Sequence, residues 1–565
     1  MTNVQEEMKK RIECLLRESF DKSLKENELL KDISIRDIFI EIPREKDHGD
    51  FSTNMAMQIA REAKMPPMEI ARLMINNINL ENTYIEKVEA AGPGFINFYL
   101  KIDWLYHVLK VIMTEKENYG KLDIGKGQKV MVEFVSANPT GPLHMGNARG
   151  GAMGDCIANT LDAVGYNVTR EFYINDAGSQ IEKFGESLEA RYINLLLGEN
   201  SIDFPEDGYH GEDIISHAKN YIEAYGDKLL KVSSPERRKE LARFALERNI
   251  ESIKNDLKNF GIKFDVWFSE QSLYDSGEFD ETMEFLKKND LTYEDDGAVW
   301  LKTSQFGADK DEVLIRSNGT PTYFASDIAY HRNKFLKRNF EQVINLLGAD
   351  HHGHVSRMKA AIKALGIDPD RLNIIIFQLV RLYRNGEIVR MSKRTGKAIT
   401  LADILEEIGK DAARFFFNMQ SSGNHLEFDL DLAIKKSDDN PVYYIQYAHA
   451  RICSMLRVLE KEGIKVPDVM QTDLSYLKTK DETDLIKKLS EYPEELSIVA
   501  KTLEPSRLTR YVKDVASLFH SFYNACRVKG EEENLMKARL ILVESTRIVI
   551  KSSLDLLSIS APERM

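Results

Sequence analysis

The chain has 565 residues, 43% of them hydrophobic and 30% charged, with 77 Lys plus Arg against 90 Asp plus Glu and a formal net charge of −13. This is the composition of a globular protein with length for roughly three to five domains, and it excludes a disordered, collagenous or disulfide-scaffold chain. The negative balance excludes a general polyanion binder, because long-range repulsion opposes docking on nucleic acid, but it leaves room for a local basic face.

Residues 1 to about 110 read as a small α+β unit. Met8, Ile12, Leu15 and Leu16 recur at helical spacing, and Asp47-His48-Gly49-Asp50 forms a loop. Helices are expected over 55–63 and 68–75, separated by Pro66-Pro67, and a strand over 95–100 after the turn Gly92-Pro93-Gly94. At residue 129 the pattern changes. A buried strand (129–134), a loop with Asn-Pro and Gly-Pro breakers (135–142), a helix (143–161) and a second strand (167–174) make a βαβ unit. That places the loop at the carboxyl end of a parallel strand, where open α/β sheets bind ligands.

Residues 180–300 are helical and charged, with Trp267 and Trp300, and are expected to be an insertion. The α/β pattern is expected to resume at 313–316, 342–347 and 374–379. Asn385-Gly386 marks a hairpin between 379–383 and 388–390, and Thr400-Leu401-Ala402-Asp403 a capping box opening a helix to Gly409. From Asn440 onward almost everything reads as helix. Over 441–565 there are 19 Lys plus Arg and 18 Asp plus Glu, a balance of +1, so the first 440 residues carry −14. A polyanion would meet less repulsion at this tail.

The four cysteines, Cys14, Cys156, Cys453 and Cys526, are far apart and form no CxxC pair. They fit a reducing cytoplasm and exclude a zinc site built from short cysteine pairs. Residues 1–11 show no apolar signal core, and no apolar run approaches about 18 residues, so neither a signal peptide nor a membrane span is expected.

Two segments carry chemistry. In Ser136-Ala137-Asn138-Pro139-Thr140-Gly141-Pro142-Leu143-His144-Met145-Gly146-Asn147, a Gly/Pro-rich loop enters a helix N-terminus. Free N–H groups and the helix dipole there favour phosphate. His144 and Asn147 share one face at i and i+3 and can donate to phosphate oxygens, and Gly146 lets a flat base or ribose approach the backbone. In Arg390-Met391-Ser392-Lys393-Arg394-Thr395-Gly396, a cationic loop suits closure over a triphosphate, with Lys393 neutralising charge on a departing pyrophosphate. Alone, the first is a capped helix start and the second a solvated basic turn.

Together, and in this order, they resemble the HIGH and KMSKS signatures of class I aminoacyl-tRNA synthetases, at His144 and Gly146 and at Met391, Ser392 and Lys393. Asn147 stands where the last His of HIGH would be, and Arg390 and Arg394 replace the outer residues of KMSKS. The text from Glu133 to Pro142, from Thr320 to Tyr330 and from Asn440 to Arg451 is similar to the arginyl-tRNA synthetase family. So are His48-Gly49-Asp50, Gly92-Pro93-Gly94 and Pro562-Glu563-Arg564-Met565, so the resemblance spans nearly the whole chain. Family members that lack the loop lysine often carry one just upstream of HIGH; here that position is Gly141 and Lys393 is present.

The resemblance implies a Rossmann-like parallel-sheet catalytic domain at 120–400 with an insertion at about 180–300. Around it stand a small N-terminal α+β domain (1–110) contacting the tRNA elbow, a connecting helical segment (401–439) and an all-α anticodon-binding domain (440–565). It implies that arginine is activated with ATP and transferred to the 3′ ribose of tRNA(Arg), with tRNA bound first. ATP would be held by His144, Gly146, Asn147, Asp350, Met391, Ser392 and Lys393, of which His144, Asn147 and Lys393 are catalytic. Arginine would be held by Glu133, Asn138, His144, Tyr323, Asp327 and Gln378. A guanidinium needs fixed acceptors, and Asp327 is the leading one; Tyr323, four residues earlier, can stack on it. Read alone, Asp327 is a surface carboxylate beside Arg332. Asp350-His351-His352-Gly353-His354 reads either as a metal cluster or as the Gly-x-Asp adenosine contact of the class; the second is preferred, Mg²⁺ arriving with ATP and no structural metal being expected.

Tyr443, Tyr447 and Arg451, with Tyr444 and His449 between them, read either as base-stacking groups or as helix core, and the family favours tRNA contact for the first three. A cytoplasmic monomer is expected. A small-molecule nucleotidylyltransferase would share the helix start without the flanking domains, and a non-catalytic tRNA-binding relative would keep the tail without the Lys393 loop.

Overall fold

The computed structural model describes residues 2–26, 33, 37–43, 45–389 and 399–565. The expected loop at 390–396, with Met391, Ser392 and Lys393, lies outside the described residues.

At the centre is a five-stranded parallel sheet. Its order is Leu372–Phe377, Gln342–Gly348, Lys129–Glu133, Asn167–Ile174, Val266–Ser269. Lys129–Glu133 has its chain successor on one side and a later strand on the other, so the topological switch point lies at its carboxyl end. The Met145–Ala163 helix packs on this sheet through small residues. Gly154 is required by close approach: a Cβ there would sit 2.3 Å from Phe134 Cγ. Two expectations change here. Val266–Ser269 is an edge strand of the main sheet, so the span 180–300 is not one continuous insertion; the strand is short and half-buried and carries no clear period. The segment at 313–316 joins an antiparallel sheet, Thr292–Asp295, Ala298–Leu301 and Glu312–Ile315, instead of the parallel one.

Between strands Asn167–Ile174 and Val266–Ser269 lie three helices, Ser179–Leu197, Glu212–Tyr225 and Ser234–Asn259, around their own core of Phe184, Leu188, Tyr192, Ile214, Tyr221 and Leu241. The N-terminal part combines helix Val4–Glu26 with an antiparallel sheet ordered Phe51–Thr53, Phe95–Leu100, Ile85–Ala91 and the helices Met55–Ala63 and Pro67–Asn76. The helix Asp103–Glu115 packs on the C-terminal helices: Tyr106 Oη donates to Leu477 O. The hairpin forms as expected, with Asn385 at φ 51° and Gly386 at φ 76° between Val380–Arg384 and Glu387–Val389. The Thr400–Asp403 capping box opens helix Leu401–Ile408. Beyond Asn440 the chain is helical throughout, starting with Pro441–Lys461, which Asn440 caps by accepting from Val442 N.

Two buried arginines join these parts. Arg149 donates to Gln378 O, Asn424 O and Ser421 O at 2.6–2.9 Å. Arg414, 0% exposed, donates to Asp155 Oδ2, to Leu557 O and to Phe260 O, so one guanidinium ties the Met145–Ala163 helix to the C-terminal helices. Removing it leaves Asp155 as an uncompensated buried charge. Arg414→Met is therefore expected to cost about 3–5 kcal/mol, seen as a lowered first thermal transition. Asp155→Asn in the same chain should recover part of that loss, and an unchanged transition in Arg414→Met would refute the role of the pair.

Candidate active site

A cavity of about 960 Å³ opens at the switch point. Strand Lys129–Glu133 ends in it, and the chain then turns sharply: Val135 (φ 68°) and Ser136 (φ 38°) sit in the left-handed region. For a β-branched residue this is strain of about 1–3 kcal/mol. Ser136 Oγ donates to Glu133 Oε1 (3.0 Å) and accepts from Tyr173 N (3.2 Å), which holds the turn. Two side chains tie the loop to the inserted helices: Asn249 Nδ2 donates to Pro139 O (2.8 Å) and Asn138 Nδ2 to Gln180 Oε1 (2.7 Å).

His144 is the N-cap of helix Met145–Ala163. Asn147 Oδ1 accepts from His144 N at 3.0 Å, which leaves its amide N–H₂ for a ligand. The first-turn N–H groups face the cavity, a ready anion site. His144 forms a bridge with Thr400, and Leu401 N donates to Leu143 O (2.9 Å). The chain on the carboxyl side of 390–398 thus starts from this helix end, and the strand leading into the hairpin on the other side leaves the cavity at Gln378 and Leu379.

Of the residues expected to hold ATP, His144, Gly146, Asn147 and Asp350 line the cavity. So do all those expected to hold arginine: Glu133, Asn138, His144, Tyr323, Asp327 and Gln378. Tyr323 and Asp327 come one turn apart from helix Tyr323–Arg332, capped by Thr322. Asp327 is not paired with Arg332, which reaches Glu281 instead (3.9 Å). In the 350–354 cluster residues 350–353 are exposed, with the Asp350 carboxylate 3.4 Å from His351 Nε2, while His354 is buried. Among the described residues, no group of three or more His, Cys, Asp and Glu side chains is arranged to hold a metal ion.

Two residues at the site carry no sequence motif. Lys334 is fully buried and sits 2.5 Å from Glu133 Oε2 and 3.3 Å from Asn345 Oδ1. It lies in the π-helical turn Asn333–Lys337, a local widening common at functional sites. Asn345 Nδ2 donates to His331 Nε2, so His331 donates through Nδ1 to Asp327 O (2.7 Å). Glu270 is buried just after strand Val266–Ser269 and interacts with Ser326 and Tyr173. Burial pushes Glu270 up to about 7. Burial, with the charges of Glu270 and Glu133, pushes Asp327 up to about 8. The cavity therefore has an anion-seeking end at the helix start and an acidic end at Glu133 and Asp327, where Asp327 is held toward its protonated form.

Tyr443, Tyr447 and Arg451 do not line it. They lie on helix Pro441–Lys461, half-buried, with Tyr443 and Tyr447 parallel within 5° and Arg451 3.8 Å from the Tyr523 ring centroid. Of their neighbours, Tyr444 packs on His520 (4.6 Å) and His449 is buried with Nδ1 2.9 Å from Pro562 O. His449 is therefore a packing residue with no face for a base.

Comparison with known proteins finds matching family models for three parts of the chain. Residues 108–424 match the model for tRNA synthetases class I (R), catalytic domain. Residues 6–100 match the arginyl tRNA synthetase N terminal domain and 445–565 the DALR anticodon binding domain. Arginine–tRNA ligases of Acetivibrio thermocellus and Ruminiclostridium cellulolyticum are 69% and 64% identical to it over 565 residues, covering all of both chains in each case. The solved arginyl-tRNA synthetase of Thermus thermophilus superposes with a TM-score of 0.74 over 97% of this chain and 99% of that one, at 23% identity, which speaks for the fold alone. The chain belongs to the arginine–tRNA ligase family of class I aminoacyl-tRNA synthetases.

Proposed function

We propose that the chain activates L-arginine with ATP in this cavity and transfers it to tRNA(Arg). The observation that carries the reading is one cavity with a helix N-terminus at one end and Asp327 and Glu133 at the other, with Glu270 buried close to Asp327. A triphosphate fits the first and a guanidinium the second. The arginine carboxylate attacks the ATP α-phosphorus in line; a new C(O)–O–P bond forms and the Pα–O–Pβ bond breaks, releasing pyrophosphate. The 2′-OH of the tRNA terminal ribose then attacks the acyl carbon, loses its proton, and AMP departs.

In this reading His144, Asn147 and Lys393 stabilise phosphate charge, and no side chain is a covalent nucleophile, because orientation and electrostatics supply the acceleration. Gly146 and Asp350 face the adenosine, with Met391 and Ser392 beside Lys393 over the phosphates. Glu133, Asn138, Tyr323, Asp327 and Gln378 hold arginine, with the charge of Glu270 close to Asp327; Lys334 pairs with Glu133 and holds it in place. Mg²⁺ enters with ATP as part of the substrate. Tyr443, Tyr447 and Arg451 offer the faces for unpaired bases, the 440–565 helices take the anticodon and the N-terminal unit the elbow of tRNA. We place the working enzyme in the cytoplasm as a monomer; its described helices include none long and apolar enough to cross a membrane.

The test is arginine-dependent ATP–pyrophosphate exchange with and without tRNA. Exchange is expected with arginine and enhanced by tRNA; exchange with a different acid, or RNA binding without exchange, would refute the reading. Lys393→Ala should lower adenylate formation by about 10²–10³-fold with little change in arginine affinity, and an unchanged rate would remove Lys393 from the chemistry. Asp327 gives a second readout. Near neutral pH its carboxyl is largely protonated in the free cavity, and a guanidinium selects the ionised form. Arginine binding should release close to one proton, and affinity should rise with pH and level off above about 8. Calorimetry in buffers of different ionisation heat checks both, and Asp327→Asn should abolish the release while weakening arginine about ten- to hundredfold.

A further inference from the structure

The helix His354–Ala364 packs beside Tyr323–Arg332 and brings two more side chains to the arginine end of the cavity, His354 and Arg357. His354 Nε2 is 3.5 Å from Asp327 Oδ2. Its other ring nitrogen, Nδ1, lies 3.1 Å from Arg357 Nε. A guanidinium has only N–H groups to offer and does not deprotonate in proteins. Nδ1 must therefore present its lone pair, and the single proton of a neutral imidazole stands on Nε2, the atom facing Asp327. The ring is neutral: burial first, then Arg357 and His351, pushes it down to about 4.

Arg357 is held in turn. Its guanidinium lies 3.7 Å from Glu312 Oε2, on the edge strand of the antiparallel sheet, and 5.2 Å from the Phe324 ring centroid. Phe324 also meets His354 edge-on at 6.2 Å. Without Arg357 the ring would divide between two tautomers, one of which sets a bare nitrogen against the carboxylate.

We propose that Glu312, Arg357 and His354 form a relay that locks the His354 tautomer, so that its Nε2–H orients Asp327 for the substrate guanidinium. His354 and Arg357 are positioning residues, acting through Asp327. The contact becomes charge-assisted once arginine ionises Asp327, so it strengthens in the bound state. The proposal rests on Asp327 being an arginine ligand.

Steady-state aminoacylation by the full chain tests it. Arg357→Leu and His354→Phe should each raise the arginine KM about five- to twentyfold while kcat and the ATP KM stay within about twofold. Arg357→Lys keeps a donor-only cation, and His354→Gln keeps an N–H toward Asp327; each should recover most of the loss. In an Asp327→Asn background Arg357→Leu should add little, because the two act on one contact. An unchanged arginine KM in Arg357→Leu, or an ATP KM rising with it, would overturn the relay and leave the arginine reading of Asp327 intact. An unchanged arginine KM in Asp327→Asn would instead overturn that reading and the relay with it. Should Arg357→Leu fail to fold, Arg357→Gln, whose amide can accept as well as donate, releases the tautomer at similar size and is expected to show the same split.

Discussion

The site is organised by a shortage of positive charge. Burial and the charges of Glu270 and Glu133 raise the affinity of Asp327 for a proton, and the buried cation beside them, Lys334, is paired with Glu133. Folding has placed these carboxylates where they are unfavourable until something arrives. A guanidinium removes the conflict and meets the acceptors with a planar fork of five donors. An ammonium of similar reach brings the charge but not the fork. Discrimination of this kind is large, because the wrong ligand leaves buried acceptors unpaired, and it explains how a site could select arginine with no second, hydrolytic site.

The other end of the cavity depends on how the Met145–Ala163 helix is seated. Gly154 lets it drop onto Phe134, and Arg149 spends its donors on the carbonyls of Gln378, Ser421 and Asn424. The helix start, the end of the strand Leu372–Phe377 and the chain around 421–424 are thereby one rigid unit. The His144–Thr400 bridge adds the start of the next helix to it. Phosphate charge would thus meet dipoles already fixed before reaction, which is where electrostatic stabilisation is most effective.

Regular, local signals were legible in the sequence. The strands at 95–100 and 167–174, the Asn385-Gly386 hairpin and the Thr400 capping box depend on period or turn chemistry within a few residues, and each formed where expected. The elements that went unread lack such signals. Val266–Ser269 is four half-buried residues at a sheet edge, and the strands between 292 and 315 form a separate antiparallel sheet. At the site the residues in motifs converge on one cavity, but Lys334 and Glu270 do not belong to a motif. Lys334 stands among Arg332, Lys337 and Arg338, a run that reads as a solvated face; a single π-helical turn takes it into the core instead. Its role depends on Glu133, two hundred residues earlier, and no local pattern encodes that contact.

The inserted helices are part of the same argument. Asn249 holds the carbonyl of Pro139, and Gln180 takes the amide of Asn138, so both contacts from the insertion end on the loop between the strained turn and the helix start. Asn249 is itself fixed by His217, 2.8 Å away within the insertion core. A shift of these helices would reach Asn138 and Pro139 directly through these two contacts. A macromolecule gripping the insertion would therefore act on the pocket through two hydrogen bonds and a turn already held in an unfavourable conformation. RNA bound outside the cavity would thus have a physical route to it that needs no movement of the domains as whole bodies.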